Sequence, residues 1–253
     1  MNGARSSKVP TWSHLLLAVL LVALVGGAFW LKSRPKPAVS RPARLTATEA
    51  LLTMGVSMHT AHQYDAAMVL YRKVIEFDPA NARAHYNLGQ IFNDRGRYAE
   101  AQREYEAALQ SDPQFLDARL NLGVVLYRQR QFRAAAQAFQ QVLQASPRHP
   151  LALFDLGTTY LELGRADEAI RWLTEALRED PNRADTHYYL GRALEAQRRF
   201  PEAKASLRKA LELNPRHANA YIALAKIYMR QGERDLAQEA LAKAAELNPA
   251  LKK

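Results

Sequence analysis

Apolar residues along most of this chain come in short bursts at helical spacing, separated by polar breaks that recur at a fixed step. Residues 82–115 show the unit best. Ala84, Leu88, Ile91 and Phe92 share one face at 3.6-residue spacing, which predicts an amphipathic helix, and Arg95-Gly96-Arg97 interrupts it. Tyr98, Ala101, Tyr105, Ala108 and Leu109 predict a second helix. Asp112-Pro113 ends it, because proline cannot continue the hydrogen-bond ladder and the residue before it avoids the helical region. The same punctuation returns every 34 residues at Pro79, Pro113, Pro147, Pro181, Pro215 and Pro249. Gly55, Gly89, Gly123, Gly157 and Gly191 keep step, with Ala225 in the sixth place, and so do Ala67, Ala101, Ala135, Ala169, Ala203 and Ala237. A period of this length predicts stacked two-helix units with one continuous core, since no single unit can bury its own apolar face. Six units span 48–81, 82–115, 116–149, 150–183, 184–217 and 218–251, leaving a tail at 252–253. Gly89 and Ala101 are expected where the two helices of their unit cross, and added bulk there would cost about 1–3 kcal/mol.

Ahead of the array the pattern changes. After a basic tail at 1–11, Trp12–Leu31 is 20 residues long and holds an uninterrupted apolar run. At about 1.5 Å per residue, such a helix matches the roughly 30 Å hydrocarbon core of a bilayer, with Trp12 and Trp30 at its interfaces. The competing reading is a cleaved signal peptide, with Arg5 and Lys8 before an apolar core at Leu15–Val25 and Gly26-Gly27-Ala28 as the cut. Phe29-Trp30-Leu31 carries the apolar run past that cut and favours a retained anchor, hence a single-pass membrane protein. Residues 32–47, KSRPKPAVSRPARLTA, are rich in proline and cations and predict an extended linker. Lys32, Arg34, Lys36, Arg41 and Arg44 would meet anionic lipid headgroups beside a membrane, or simply be solvated.

The formal charge is +10, from 35 basic and 25 acidic residues. Its distribution matters more than its size. Seven of the cations, and no acid, fall in residues 1–47, so residues 48–253, the array with its short tail, carry only 28 − 25 = +3. That near balance argues against nucleic acid as a partner, because counterion release needs a local basic excess. There is no cysteine, which excludes disulfides, thiolate metal sites and thiol catalysis. The histidines mostly follow the repeat: His149 and His217 are equivalent, as are His85 and His187, and His59 with His62 lack a third metal ligand. With no phosphate-cradling loop either, neither an enzyme nor a bound cofactor or metal is expected.

The units follow a pattern of Leu-Gly near positions 7–8, an aromatic or large apolar residue at 11, Ala at 20, an aromatic at 24, a small apolar residue at 27 and Pro at 32, most fully in the second unit. Residues 82–115 supply Leu88-Gly89, Phe92, Ala101, Tyr105, Ala108 and Pro113, together with Tyr86-Asn87. This pattern resembles the tetratricopeptide repeat (TPR), over residues 48–251. The resemblance implies an all-α, right-handed superhelical solenoid whose first helices line a concave groove that takes a partner protein or peptide. Position 5 of those helices reads Leu52, Tyr86, Leu120, Phe154, Tyr188 and Ile222. With Val124, Tyr127, Leu151 and Leu161 it predicts an apolar patch centred on Phe154, although the same stripe would also serve packing between repeats. Asn87 and Asn121 are placed to bond the backbone of an extended peptide. Arg83 and Arg192 would receive carboxylates, whereas Asp117, Asp155 and Asp185 would repel them. The lysine-rich carboxylate clamp of some relatives is absent, since Leu52 and Tyr86 hold its lysine place.

The terminal units depart from the pattern. The first has Met54 where leucine is usual and the turn His62-Gln63-Tyr64; the sixth has Ala225 in the glycine place. Solenoid ends need a polar cap. The sixth unit therefore either caps itself through Arg234, Gln238 and Lys243 or meets another chain in a homodimer. The charge bias around residues 12–31 puts the array in the cytoplasm, whereas the likeness to anchored bacterial TPR proteins puts it in the periplasm. The functional expectation is a membrane-tethered scaffold or adaptor that holds a partner in its groove and supports assembly of a membrane or envelope complex. The alternative is a self-associating structural scaffold.

Overall fold

The computed structural model describes residues 46–248, and these form twelve helices and no strand. They run in six hairpins: α1 (Ala47–Thr60) with α2 (Tyr64–Phe77), α3 (Ala82–Asp94) with α4 (Tyr98–Ser111), α5 (Leu116–Arg128) with α6 (Phe132–Ala145), α7 (Pro150–Glu162) with α8 (Ala166–Glu179), α9 (Ala184–Ala196) with α10 (Phe200–Leu213), and α11 (Ala218–Gln231) with α12 (Arg234–Leu247). The all-α solenoid expected from the period is what the chain forms. Segment 12–31, the five linker cations, Pro249 and the tail at 252–253 lie outside the described residues.

The membrane placement needs correction. Among the described residues no helix is long and apolar enough to cross a membrane. Each has 13 or 14 residues, about 20 Å at 1.5 Å per residue, against a core of about 30 Å. The single-pass localisation, resting only on residues beyond that range, is therefore withdrawn.

Local chemistry sets the helix ends. At the first, Glu49 N donates to Thr46 Oγ1 at 3.2 Å while Thr46 N donates to Glu49 Oε2 at 2.7 Å, a capping box that satisfies two otherwise orphaned donors. Asn81 caps α3 by accepting from Ala84 N at 3.0 Å. His149 and His217 use Nδ1 in the same way for α7 and α11, accepting from Ala152 N and Ala220 N at 3.3 and 3.2 Å. The two histidines thus cap their helices through Nδ1, and His217 Nε2 lies 3.3 Å from Asp185 Oδ1. Each hairpin turn holds one residue at positive φ, always at the same place in the unit: His62, Gly96, Arg130, Gly164, Arg198 and Gly232.

Packing adds a second reason for the glycine period to the helix crossing expected from the sequence. The partner of Gly89 is Tyr105, four residues beyond Ala101. A Cβ added at Gly55, Gly89, Gly123, Gly157 or Gly191 would lie 2.5–2.7 Å from the side chain of Tyr71, Tyr105, Phe139, Leu173 or Leu207 respectively. These five partners are fully buried, so each glycine makes room for a large buried side chain of its hairpin. Ala67, Ala101, Ala135, Ala169 and Ala203 are also fully buried. Each helix packs on its hairpin partner and on the next helix in the chain. The first helices of neighbouring hairpins also touch one another, whereas among the described residues the second helices do not. The stack therefore closes up on the side of α1, α3, α5, α7, α9 and α11, and opens on the other.

Candidate functional site: the face of the first helices

The centre of that closed side is a pocket of about 180 Å³ built by three successive first helices. Val124, Tyr127 and Arg128 come from α5, Phe154, Asp155 and Thr158 from α7, and Tyr189 from α9, with Phe139 of α6 beneath. The helical repeat places 124, 127 and 128 on one face of α5 and 154, 155 and 158 on one face of α7. The rings of Phe154 and Tyr189 meet edge to face at 5.6 Å, and Tyr188 continues the cluster at 4.9 Å from Tyr189. The guanidinium of Arg183, from the loop before α9, stands 3.9 Å above the Phe154 ring. Arg192 lies 5.7 Å from the Tyr189 ring and 3.8 Å from Glu162, so its charge is already engaged.

Asp155 is the unusual member. Its backbone carbonyl accepts from the hydroxyls of Thr158 and Thr159 at 2.9 and 2.5 Å. Its carboxylate forms no hydrogen bond and no close ion pair among the described residues, although the residue is half-buried. Burial pushes its pKa up from 3.8 to about 6, against the opposing pull of Arg183 and Arg128. Burial likewise pushes the Tyr127 phenol up to about 12, helped by Glu162 and Tyr189.

Several residues singled out from the sequence converge here: Val124, Tyr127 and Phe154 line the pocket, while Tyr188 and Arg192 adjoin it through Tyr189. Leu161 packs, half-buried, on the same core, and Leu151 is exposed. Leu120 is buried inside the stack, because its face of α5 turns toward the core shared with α6 and α7. Tyr86 serves packing between hairpins: its ring lies 4.8 Å from Phe115 and 5.9 Å from Tyr105. Its hydroxyl accepts from Gln90 at 3.0 Å and from Asn121 at 3.3 Å, so the Asn121 amide already has an internal partner. Asn87 is half-buried, and Arg83 is exposed.

Sequence reasoning missed Arg128, Thr158, Arg183 and Tyr189, and cast Asp155 only as a repellent. The available signal was position 6 of the unit, where Asn87 and Asn121 give way to Asp155 and then Tyr189.

A second feature closes the array. Leu241 holds the place filled by the fully buried Tyr71, Tyr105, Phe139, Leu173 and Leu207, yet it is 43% exposed. With Ile222, Gln238, Ala242, Ala244 and Ala245 it lines a shallow depression of about 500 Å³. Of the three candidate capping residues, Lys243 pairs with Glu246 on its own helix at 3.4 Å, and Arg234 stands exposed at the start of α12.

Comparison with known proteins gives the same architecture. A comparison with curated proteins finds no match. Among solved structures, the chain is similar to YrrB, described as a TPR protein with an unusual peptide-binding site: 25% identity, 68% of this chain, 89% of that one and a TM-score of 0.63. It is similar to MamA at 25% identity, covering 68% of this chain and 93% of that one with a TM-score of 0.62. PilF of Pseudomonas aeruginosa shares the fold at 22% identity, covering 80% of this chain and 92% of that one, with a TM-score of 0.67. Residues 28–250 match the family model of the cilia and flagella-associated protein 70 C-terminal domain. With its helical hairpins, its large side chains seated on glycines and these matches, the chain belongs to the TPR family that this domain represents.

Proposed function

We propose that this chain is a scaffold whose first-helix face holds an extended segment of a partner protein across α5, α7 and α9, and so supports assembly of a larger complex. The observation that carries this reading is the pocket at Tyr127, Phe154, Asp155 and Tyr189: aromatic side chains stand half-buried around an open cavity in the middle of the face. Contact energy in protein interfaces concentrates in such aromatic pockets. The similarity to YrrB, a protein described as having a peptide-binding site, supports a peptide segment as the occupant. Asn87 and Arg83 extend the same face toward α3, where they would contact the flanking backbone and carboxylates. The test is photo-crosslinking in the native host. A photoreactive phenylalanine analogue replaces Arg128, at the pocket rim, or Val69, which is 65% exposed on α2. Capture of the same partner from position 128 and not from position 69 is expected; equal capture from both, or from 69 alone, refutes the groove.

The exposed Leu241 favours a second mode, in which the last hairpin meets another copy through the depression beside Ile222. Sedimentation of the full chain across concentration tests it. Association that Leu241→Glu abolishes is expected, and a wild-type monomer at every concentration eliminates the mode.

A further inference from the structure

The pocket's chemistry narrows what can enter it. A buried charge is normally paired, because an isolated carboxylate in a poorly solvated site loses its hydration without compensation. Asp155 sits half-buried on the cavity wall, and its carboxylate has no hydrogen bond and no close ion pair among the described residues, feeling Arg183 and Arg128 only through space. Neither of these cations closes onto the carboxylate. Arg183 is committed to the Phe154 ring face at 3.9 Å, Arg192 to Glu162 at 3.8 Å, and Arg128 is exposed at the rim. The remaining walls, Tyr127, Phe154 and Tyr189, present ring faces and edges, and ring faces attract cations through their quadrupole. Arg183 on Phe154 shows that attraction operating within this very cluster. A cavity of about 180 Å³ admits the end of one long side chain, not a helix or strand. A metal ion is a poorer fit, since among the described residues no three ligating side chains come together here or elsewhere. An anionic group would have to sit against the carboxylate of Asp155, adding like-charge repulsion to burial.

We propose that the central pocket receives one basic side chain, a lysine or arginine projecting from the bound partner segment, with Asp155 as its counter-ion and Tyr127, Phe154 and Tyr189 as its walls. This rests on the groove reading and specifies it. The specificity follows from the same physics: a neutral side chain leaves the carboxylate unpaired, whereas a cation removes that penalty on arrival, so the pocket selects for charge as well as length. Position 6 of the unit thus acts as a register mark, fixing which residue of an extended partner lies over α7.

The test is a nuclear magnetic resonance titration of the full chain, with ring-labelled tyrosine and phenylalanine, using three blocked tripeptides that differ only in a central Lys, Leu or Glu. The Lys peptide is expected to shift the resonances of Tyr127, Phe154 and Tyr189 and to bind more tightly than the other two. Asp155→Asn should weaken it by at least about tenfold and leave the Leu peptide unchanged, and Asp155→Glu should restore part of the affinity. Circular dichroism of each variant confirms that the fold is kept. Preference for the Glu peptide, or undiminished Lys binding by Asp155→Asn, overturns the proposal. If the Leu peptide shifts the same rings with no preference for Lys, the basic-side-chain pocket fails while the groove reading stands. If no peptide shifts them, the pocket fails, and cross-linking from position 128 decides the groove separately.

Discussion

Asp155→Asn should make the protein more stable at neutral pH, and only there. Asparagine keeps the size and shape of the side chain but cannot ionise. Burial disfavours the charged form of the wild-type carboxyl and pushes its pKa in the folded chain up to about 6, against an ordinary value of 3.8. About 2 pKa units at 1.36 kcal/mol each give a penalty of roughly 3 kcal/mol once the group is ionised. The sign follows from proton counts. Between about pH 4 and 6 the folded state binds more protons at this site than the unfolded chain does, so stability falls as pH rises through that window. Below it the group is neutral in both states and contributes nothing; above it the full penalty is present. Arg183 and Arg128, from the loop before α9 and from α5, pull against this shift without cancelling it. Urea unfolding of wild type and variant at pH 4 and pH 7.5 measures the difference, and titrations common to both chains cancel. At pH 7.5 the variant midpoint should rise by roughly 1 M for an m-value of 2–3 kcal/mol/M, and at pH 4 the two curves should coincide. Equal midpoints at pH 7.5, or a variant weaker at both pH values, would show that the carboxylate has a partner in the folded chain and refute the reasoning.

The remaining expectations concern the frame of the array. Gly89→Ala drives a Cβ to 2.7 Å from the fully buried Tyr105 ring, and overpacking should outweigh the better helix propensity of alanine for a net loss of about 1–2 kcal/mol by urea unfolding. Arg198→Gly relieves a non-glycine residue at φ 58° and should gain about 0.5–1 kcal/mol after the added chain entropy of glycine is set against it; Gly96→Ala, at φ 70° in open space, should lose a similar amount. His85, whose Nδ1 lies 2.7 Å from Glu104 Oε2, has its pKa raised chiefly by that bond. Its stabilisation is present below the unfolded value near 6.5 and fades as pH rises through the higher folded value, so His85→Gln should narrow the stability difference between pH 6 and pH 8.

The architecture was legible because it depends on sterics that repeat. Proline ends each second helix and glycine admits each large side chain, and both requirements return once per unit. What the period could not show is which groups meet across the stack. Gly89 and Tyr105 are 16 residues apart in sequence, and only the hairpin geometry puts one beneath the other. Leu120 and Phe154 occupy equivalent places, yet one is buried in the core and the other opens onto the pocket, because neighbouring hairpins present different side chains to them. Asp155 read only as a groove acid that would repel carboxylates; that it shares a pocket with Tyr127 and Tyr189 depends on side chains from neighbouring hairpins. Asn121 read as a free amide, whereas Tyr86 of the preceding unit takes its hydrogen bond. The apolar stretch at 12–31 invited a membrane assignment that nothing in the twelve described helices supports.

A structure of the chain bound to the partner captured from position 128 tests the central claim most directly. The groove reading predicts an extended partner segment lying across α5, α7 and α9 with one side chain in the pocket at Asp155; a partner seated on the second-helix face, with that pocket empty, would contradict it.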